Sequence, residues 1–391
     1  MKSKKKILVI IVLAQFCCTT LWFASNGVLE ELITNFNLNT NTLGNLTSAV
    51  QFGFISGTLV FALLTITDRF SPSKVFLMSA ILGAIFNGSM LWPGNTLLTL
   101  IAFRFLTGFF LAGIYPVGMK IAADYFDKGL GKSLGFLVGA LVLGTAFPHL
   151  LKGITTYFSW QSVIITTSVL AILGGILLAI LVPNGPFRKK SQQPDLGAFF
   201  KVFQNPNFRA AALGYFGHMW ELYVFWAFVP IMLGTYQSLN QSSLNIPLLS
   251  FGIIAIGGIA CVLSGHISQK IGVKKTASTA LFLSGCCCLA APLFFTLTTT
   301  SLFVGFLFFW GMVVIADSPL FSTLVAQNAT PELKGTALTI VNCIGFTITI
   351  ISIQLMVYLQ LNYASNWIYT SLAVGPIFGL IALTSSKKTN R

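Results

Sequence analysis

A chain of 391 residues that is 55% hydrophobic and only 8% charged, with a formal net charge of +14, has too little charge to cover a globular surface in water. Lipid must cover it, which excludes a soluble enzyme and makes the positive balance a signal of membrane topology, with no nucleic-acid partner expected. The seven cysteines, Cys17, Cys18, Cys261, Cys286, Cys287, Cys288 and Cys343, all sit inside apolar runs. They show neither a metal-ligand spacing nor a disulfide framework and read as small packing residues.

The opening stretch MKSKKKILVIIVLAQFCC imitates a secretory signal, but its apolar run continues through Leu21 to about Val28 with no small-x-small cleavage site. A retained first span is predicted. A helix needs about 20 apolar residues to cross a bilayer. Twelve runs qualify, at about 7–28, 44–66, 75–93, 97–117, 133–152, 160–182, 207–233, 247–266, 276–297, 300–321, 336–358 and 366–385. Backbone groups in lipid must be satisfied within the segment, and the runs do not alternate as barrel strands would. An all-α membrane protein is predicted. A polar connector, 183–206, separates two six-span halves, 1–182 and 207–391. In it Leu196, Phe199, Phe200 and Phe203 recur at helical spacing, as in a short amphipathic helix or a tether on the membrane surface.

Of the 23 basic residues, 21 fall at the two termini, in the connector or in loops on the same side; only Arg104 and Lys152 lie elsewhere. Both termini and the connector are therefore predicted to be cytoplasmic, with Glu30 and Glu31 on the far side. The compact loops and the lack of an organellar targeting segment point to a bacterial inner membrane.

The halves repeat. Gly108 and Pro116 in the fourth span match Gly311 and Pro319 in the tenth, 203 residues later, and Gly57 matches Gly258 at 201. A repeat of six spans about an axis along the membrane normal is one way transporters are built. The run Gly265-His266-Ile267-Ser268-Gln269-Lys270-Ile271-Gly272-Val273-Lys274-Lys275 resembles the loop signature of the major facilitator superfamily, Gly-x-x-x-Asp-Arg/Lys-x-Gly-x-Arg/Lys-Arg/Lys, with Gln269 in place of the aspartate. The first-half copy, Leu64 to Lys74, keeps Asp68, Arg69 and Lys74 but has Leu64, Ser71 and Ser73 where the glycines and one basic residue would stand. The resemblance implies a twelve-helix fold with alternating access. It also implies that Asp68, Arg69 and Lys270 help hold one access state. Arg104-Phe105-Leu106-Thr107-Gly108 is similar to the family's Arg-x-x-x-Gly pattern, common in proton-driven members. An arginine at this depth costs about 2.5–3.5 kcal/mol on insertion scales. Arg104 either tunes a carboxylate or binds an anion, or it ties to backbone carbonyls. In the fifth span Gly135, Gly139 and Gly144 allow close approach, and packing on the eighth span at Gly252, Gly257 and Gly258 is predicted.

The seventh span, GYFGHMWELYVFWAFVP, carries two ionisable groups, His218 and Glu221, three apart and therefore on one helix face. A carboxyl group at mid-bilayer can load and release a proton as water access alternates, so Glu221 is the expected proton carrier, with His218 and Arg104 as modulators. A His–Glu pair that merely locks the helix is the plain alternative. Trp220, Trp226 and Tyr115 are candidate cavity aromatics. The positions around Cys17 and Thr20 in the first span, taken as the counterparts, are neutral. Asp317, aligned with Tyr115, either lines the cavity or caps the break made by Pro319. Gln15, Asn26, Gln51, Asn87, Asn342 and Gln354 are polar residues that line the cavity or join helices.

His149, His218 and His266 have no metal-ligand partner at a recognisable spacing, and no Walker loop is present. No cofactor, metal or enzymatic activity is expected. The reading is a monomeric secondary transporter of a small solute, proton-coupled, with export of a small organic compound preferred. The alternatives are uptake of a small anion or metabolite and, from another class, a non-transporting membrane sensor.

Overall fold

A computed structural model describes residues 4–39, 41–126, 130–154, 159–188, 202–330 and 333–385. The amphipathic stretch predicted around Leu196 to Phe200 lies outside them. All regular structure among the described residues is helical. Eleven segments are long and apolar enough to cross a membrane. The N-terminal helix completes the twelve-helix arrangement.

That first helix departs from the predicted span 7–28. α1 covers Lys4–Thr19, and the chain then turns through a 3-10 segment, Asn26–Val28, into α2, Leu29–Asn35. The hydroxyls of Thr19 and Thr20 bond back to the carbonyls of Gln15 and Cys17, at 2.8 Å each, and compete with the helical ladder where it stops. The apolar run continues past that point, so hydrophobicity alone hides the end of the helix.

The contacts divide the chain into two compact units. The first comprises Met1–Ser191 together with Leu244–Gly258. Besides α1 and α2 it holds α3 (Thr42–Leu63), α4 (Ile66–Arg69), α5 (Pro72–Gly88), α6 (Leu97–Leu111), α7 (Tyr115–Tyr125), α8 (Leu130–Ile154) and α9 (Trp160–Leu181). The second comprises Gln192–Ser243 and Ile259–Arg391. It holds α10 (Pro206–Asn240), the latter part of α11 (Ile246–Ile271), α12 (Val273–Phe295), α13 (Thr300–Ala316), α14 (Ser318–Asn328), α15 (Lys334–Asn362) and α16 (Val374–Thr384).

The repeated Gly–Pro spacing has a structural meaning. The fourth span breaks between α6 and α7, and the tenth between α13 and α14, with Pro116 and Pro319 just inside the second helix of each pair. Proline lacks an N–H and fits the first turn, where none is needed. Setting the two prolines in register makes Ile114 the counterpart of Asp317; these two residues occupy the same N-cap position of α7 and α14. The alignment of Asp317 with Tyr115 is therefore one residue off.

Small residues set the closest helix contacts within each unit. A Cβ on Gly108 would stand 2.0 Å from the Val50 carbonyl oxygen, so α6 meets α3 backbone to backbone. In the second unit a Cβ on Gly217 would stand 2.3 Å from the Gly375 oxygen, which brings α10 onto α16 in the same way. Such approach supplies van der Waals contact where lipid offers no hydrophobic drive. Gly139 of α8 lies against Gly258, where its Cβ would be 3.4 Å from that residue's oxygen. Further along α8 a Cβ on Gly153 would meet the Leu248 nitrogen at 2.7 Å, and the Gly153 carbonyl accepts from Asn245 Nδ2 at 3.1 Å.

Near the end of α8, Lys152 pairs with Glu31 of α2. Both side chains are about a quarter to a third exposed, 26% and 32%. Water therefore screens the pair, and Lys152→Met is expected to cost less than about 1 kcal/mol, read as a melting temperature close to that of the wild type.

Candidate functional site

α10 places His218 and Glu221 on one face, both 1% exposed. α12 brings Ser284 to the Glu221 carboxyl and α13 brings Trp310. Trp310 Nε1 donates to Oε1 at 2.6 Å, and Ser284 Oγ donates to Oε2 at 2.9 Å. Cys288, one turn after Ser284, adjoins the same carboxyl. The Trp310 indole is held by Phe225 and Phe306, with ring centroids 4.8 and 5.6 Å away.

Ser284 can serve this carboxyl in either charge state. Its single hydroxyl proton lies within reach of Glu221 Oε2 at 2.9 Å and of the Leu281 carbonyl at 3.1 Å. When Glu221 is ionised, the hydroxyl donates to Oε2. When Oε2 carries a proton, the acid donates to Ser284 Oγ and the hydroxyl turns to Leu281. Trp310 donates to Oε1 throughout. The carboxyl is hydrogen-bonded in both states without movement of a heavy atom. Ser284→Ala removes a partner from both states and is expected to cost about 1–2 kcal/mol, visible as a lower melting temperature in detergent; Ser284→Thr, which keeps the hydroxyl, should stay near the wild type.

One turn earlier on α10, His218 Nδ1 stands 2.7 Å from Asp317 Oδ1. Asp317 is fully buried at the break between α13 and α14. Its backbone carbonyl accepts from Leu320 and Phe321, but its side chain makes no capping bond to α14. Its carboxylate faces His218 instead. The Tyr215 and Phe321 rings flank the imidazole at 6.0 and 6.2 Å. The second unit thus gathers His218, Glu221 and Asp317.

Arg104 belongs to the first unit. It is fully buried on α6. Nη1 donates to the Leu21 carbonyl at 3.0 Å and to Asn87 Oδ1 at 3.3 Å, and Nη2 donates to the Trp22 carbonyl. Asn87 in turn donates to Ser168 Oγ at 2.9 Å and Thr167 Oγ1 at 3.2 Å. The carbonyls of Leu21 and Trp22 are open to the guanidinium because α1 has already ended. These partners are carbonyl and amide oxygens, the tie to backbone that stood as the alternative for this arginine.

Of the aromatic candidates, Trp220 donates from Nε1 to the Ser371 carbonyl at 3.1 Å. Trp226 is buried beside Tyr223, with centroids 5.3 Å apart. Tyr115 opens α7 and is half-buried. In the loop regions Arg69 and Lys270 are exposed, while the role expected of Asp68 falls on a side chain outside the description. The two loop copies turn differently. Gly272 takes φ +92°, open to glycine alone in practice, whereas the first copy turns at Thr65 with φ 50° and keeps Ser71 extended. The first copy is braced by Arg188, which donates to the Phe70 carbonyl at 2.9 Å, and by Ser71 Oγ, which donates to Asn184 Oδ1 at 2.8 Å. No group of three or more His, Cys, Asp or Glu suited to a metal occurs among the described residues.

Sequence reasoning named Glu221, His218, Asp317 and Arg104 but not Trp310 or Ser284. An indole and a hydroxyl are common in apolar spans, and only the rotation of α12 and α13 turns them toward a carboxyl.

The family model for the Major Facilitator Superfamily matches residues 11–353. The chain is 22% identical over 328 residues to the MFS-type transporter YceJ of Bacillus subtilis, covering 82% of this chain and 80% of that protein. A shorter match, 27% over 191 residues, covers 47% of this chain and 46% of the sialic acid transporter NanX of Escherichia coli. Among solved structures, the proton:xylose symporter XylE is similar with a TM-score of 0.75 at 15% identity, covering 97% of this chain and 94% of that one. A bacterial homologue of the human lysosomal transporter Spinster follows at 0.71 and 14% identity, covering 98% and 96%.

Proposed function

Because the chain belongs to the major facilitator superfamily and is a multi-pass membrane transporter of some substrate, we propose that it couples movement of a small polar solute to a proton carried by Glu221. The observation that carries this reading is the Glu221 carboxyl, buried in a membrane-spanning unit, with donors on both oxygens and a serine that serves either protonation state. A carboxyl kept in the bilayer is functional by default. One that accepts either charge without rearrangement suits a proton carrier.

The halves 1–182 and 207–391, joined by 183–206, are proposed to alternate access by rocking, in a monomer. The basic loops and both termini are placed in the cytoplasm of a bacterial inner membrane, on the distribution of 21 of the 23 basic residues. Arg69 and Lys270 are proposed to steady one access state. The arginine pattern of the fourth span points to export of a small organic compound. The bonds of Arg104 to Leu21, Trp22 and Asn87 give that arginine a structural task, and the pattern no longer favours export. Uptake with a proton is preferred here, in keeping with the named symport of xylose by a protein of the same fold.

The test is proton release or uptake by purified protein on addition of solutes, wild type beside Glu221→Gln. A proton signal that is lost in the variant supports the reading. A signal that persists moves the coupling away from Glu221.

A further inference from the structure

We propose that the His218–Asp317 pair is the polar contact for an uncharged, hydroxyl-bearing solute, an inference that rests on the transport reading above but not on Glu221 carrying the proton. The two polar groups of the second unit differ in what they leave over. The Glu221 oxygens are both engaged by protein donors. Among the described residues His218 Nε2 and Asp317 Oδ2, both buried, have no hydrogen-bond partner, and Asp317 Oδ1 has none beyond the imidazole at 2.7 Å. A buried donor or acceptor without a partner is costly, and such atoms are kept where something else completes them.

The charge balance selects the class of ligand. We take the pair with one proton on Nε2 and one between Nδ1 and Oδ1, as imidazolium with carboxylate or as imidazole with carboxylic acid; imidazole with carboxylate would carry a charge of −1 and admit a cation, the outcome that the choline probe reports. In both neutral forms Nε2–H is left as a donor and Oδ2 as an acceptor. One donor and one acceptor on a pair with no net charge match a hydroxyl, which accepts and donates, or a pair of neighbouring hydroxyls. A solute ammonium or carboxylate would instead bring a buried charge with no counter-charge in the pair. The Cys261 thiol and Glu221 also lie within electrostatic reach of Asp317, and neither is a cation. The Tyr215 and Phe321 rings that flank the imidazole offer apolar faces for the carbon skeleton.

The first unit repeats the chemistry at the matching place. Gln15, two residues before the counterpart expected at Cys17, precedes His218 by 203 residues, the same offset that relates Pro116 to Pro319. A Cβ on Gly118 would stand 2.2 Å from Gln15 Oε1, and Gly118 precedes Phe321, the ring beside His218, by the same offset. Gln15 is fully buried, and among the described residues neither its Oε1 nor its Nε2 has a hydrogen-bond partner. An amide is again an uncharged donor and acceptor. Thus each unit presents, at the same position of its first helix, a buried polar side chain with a hydrogen-bonding function left unused.

The experiment measures saturable thermal stabilisation of the full chain in detergent by myo-inositol, xylitol and uridine, beside choline and acetate. At least one hydroxylated probe is expected to stabilise it, and the charged probes are not. His218→Leu and Asp317→Leu should each weaken the apparent affinity for that probe about tenfold or more, while His218→Gln, which keeps an uncharged donor and acceptor, should stay within about threefold. The Gln variant separates loss of contact from loss of fold. The proposal is overturned if only choline or acetate stabilises, if no hydroxylated probe binds, or if binding survives both Leu substitutions. Retained proton release in Glu221→Gln alongside lost binding in the Leu variants would defeat the coupling role of Glu221 and leave this assignment standing.

Discussion

Glu221→Gln is expected to abolish solute-driven proton movement, with concentrative transport falling roughly a hundredfold or more, the scale of losing a proton-transfer group. The variant should nevertheless fold. Glutamine has the same shape, its Oε1 can accept from Trp310 Nε1, and its amide nitrogen can donate to Ser284 Oγ, whose proton then goes to the Leu281 carbonyl. Both contacts of the native carboxyl survive, and a buried ionisable group is removed. Melting temperature should hold or rise, while solute exchange across proteoliposomes without a proton gradient should persist. Concentrative uptake that continues in a well-folded Glu221→Gln protein would sink the assignment. Loss of exchange together with uptake would make Glu221 part of the solute site instead.

Arg104→Met carries the second large effect, and it should fall on the fold. Three acceptors lose their donor: the carbonyls of Leu21 and Trp22, and Asn87 Oδ1. Each unsatisfied buried acceptor costs about 1–3 kcal/mol. Removing a buried charge gives part of that back. A net loss of about 3 kcal/mol is expected, read as a large fall in melting temperature and in the yield of monodisperse protein. Arg104→Lys should rescue little, because a single ammonium cannot span the three acceptors that the planar guanidinium reaches. Among molecules that remain folded, solute binding should stay within about threefold of the wild type. A stable Arg104→Lys protein without proton release would instead put this arginine into the coupling.

What could be read from the chain alone follows the physics of lipid. Glu221, His218, Asp317 and Arg104 stand out because a charge in an apolar run must have a reason. The same charges were legible as residues but not as contacts. Asp317 reads equally as a cap or a cavity group, and only the turn at Pro319 shows its carboxylate facing His218. The partners of Arg104 depend on α1 stopping at Thr19, inside an apolar run that predicts a helix as far as Val28. The two threonines that end it were the available signal, and they are weak in a span where hydroxyls commonly bond to their own helix. The twelve spans and the six-span repeat were legible because each rests on many residues. Ser284 and Trp310 were not, because each is a single ordinary residue whose task is set by the rotation of one helix against another.

The membership of Leu244–Gly258 in the first unit has a consequence for biosynthesis. The ribosome delivers α8 early, with Gly139 and Gly153 on a face that is later covered by Gly258, Leu248 and Asn245. Two further spans, α9 and α10, must be made before that cover exists. At ordinary elongation rates the wait is on the order of ten seconds. For that time a face shaped for close backbone contact is open to lipid or to the insertion machinery. The first unit therefore cannot finish assembling as it leaves the ribosome, and its completion is tied to the synthesis of the second.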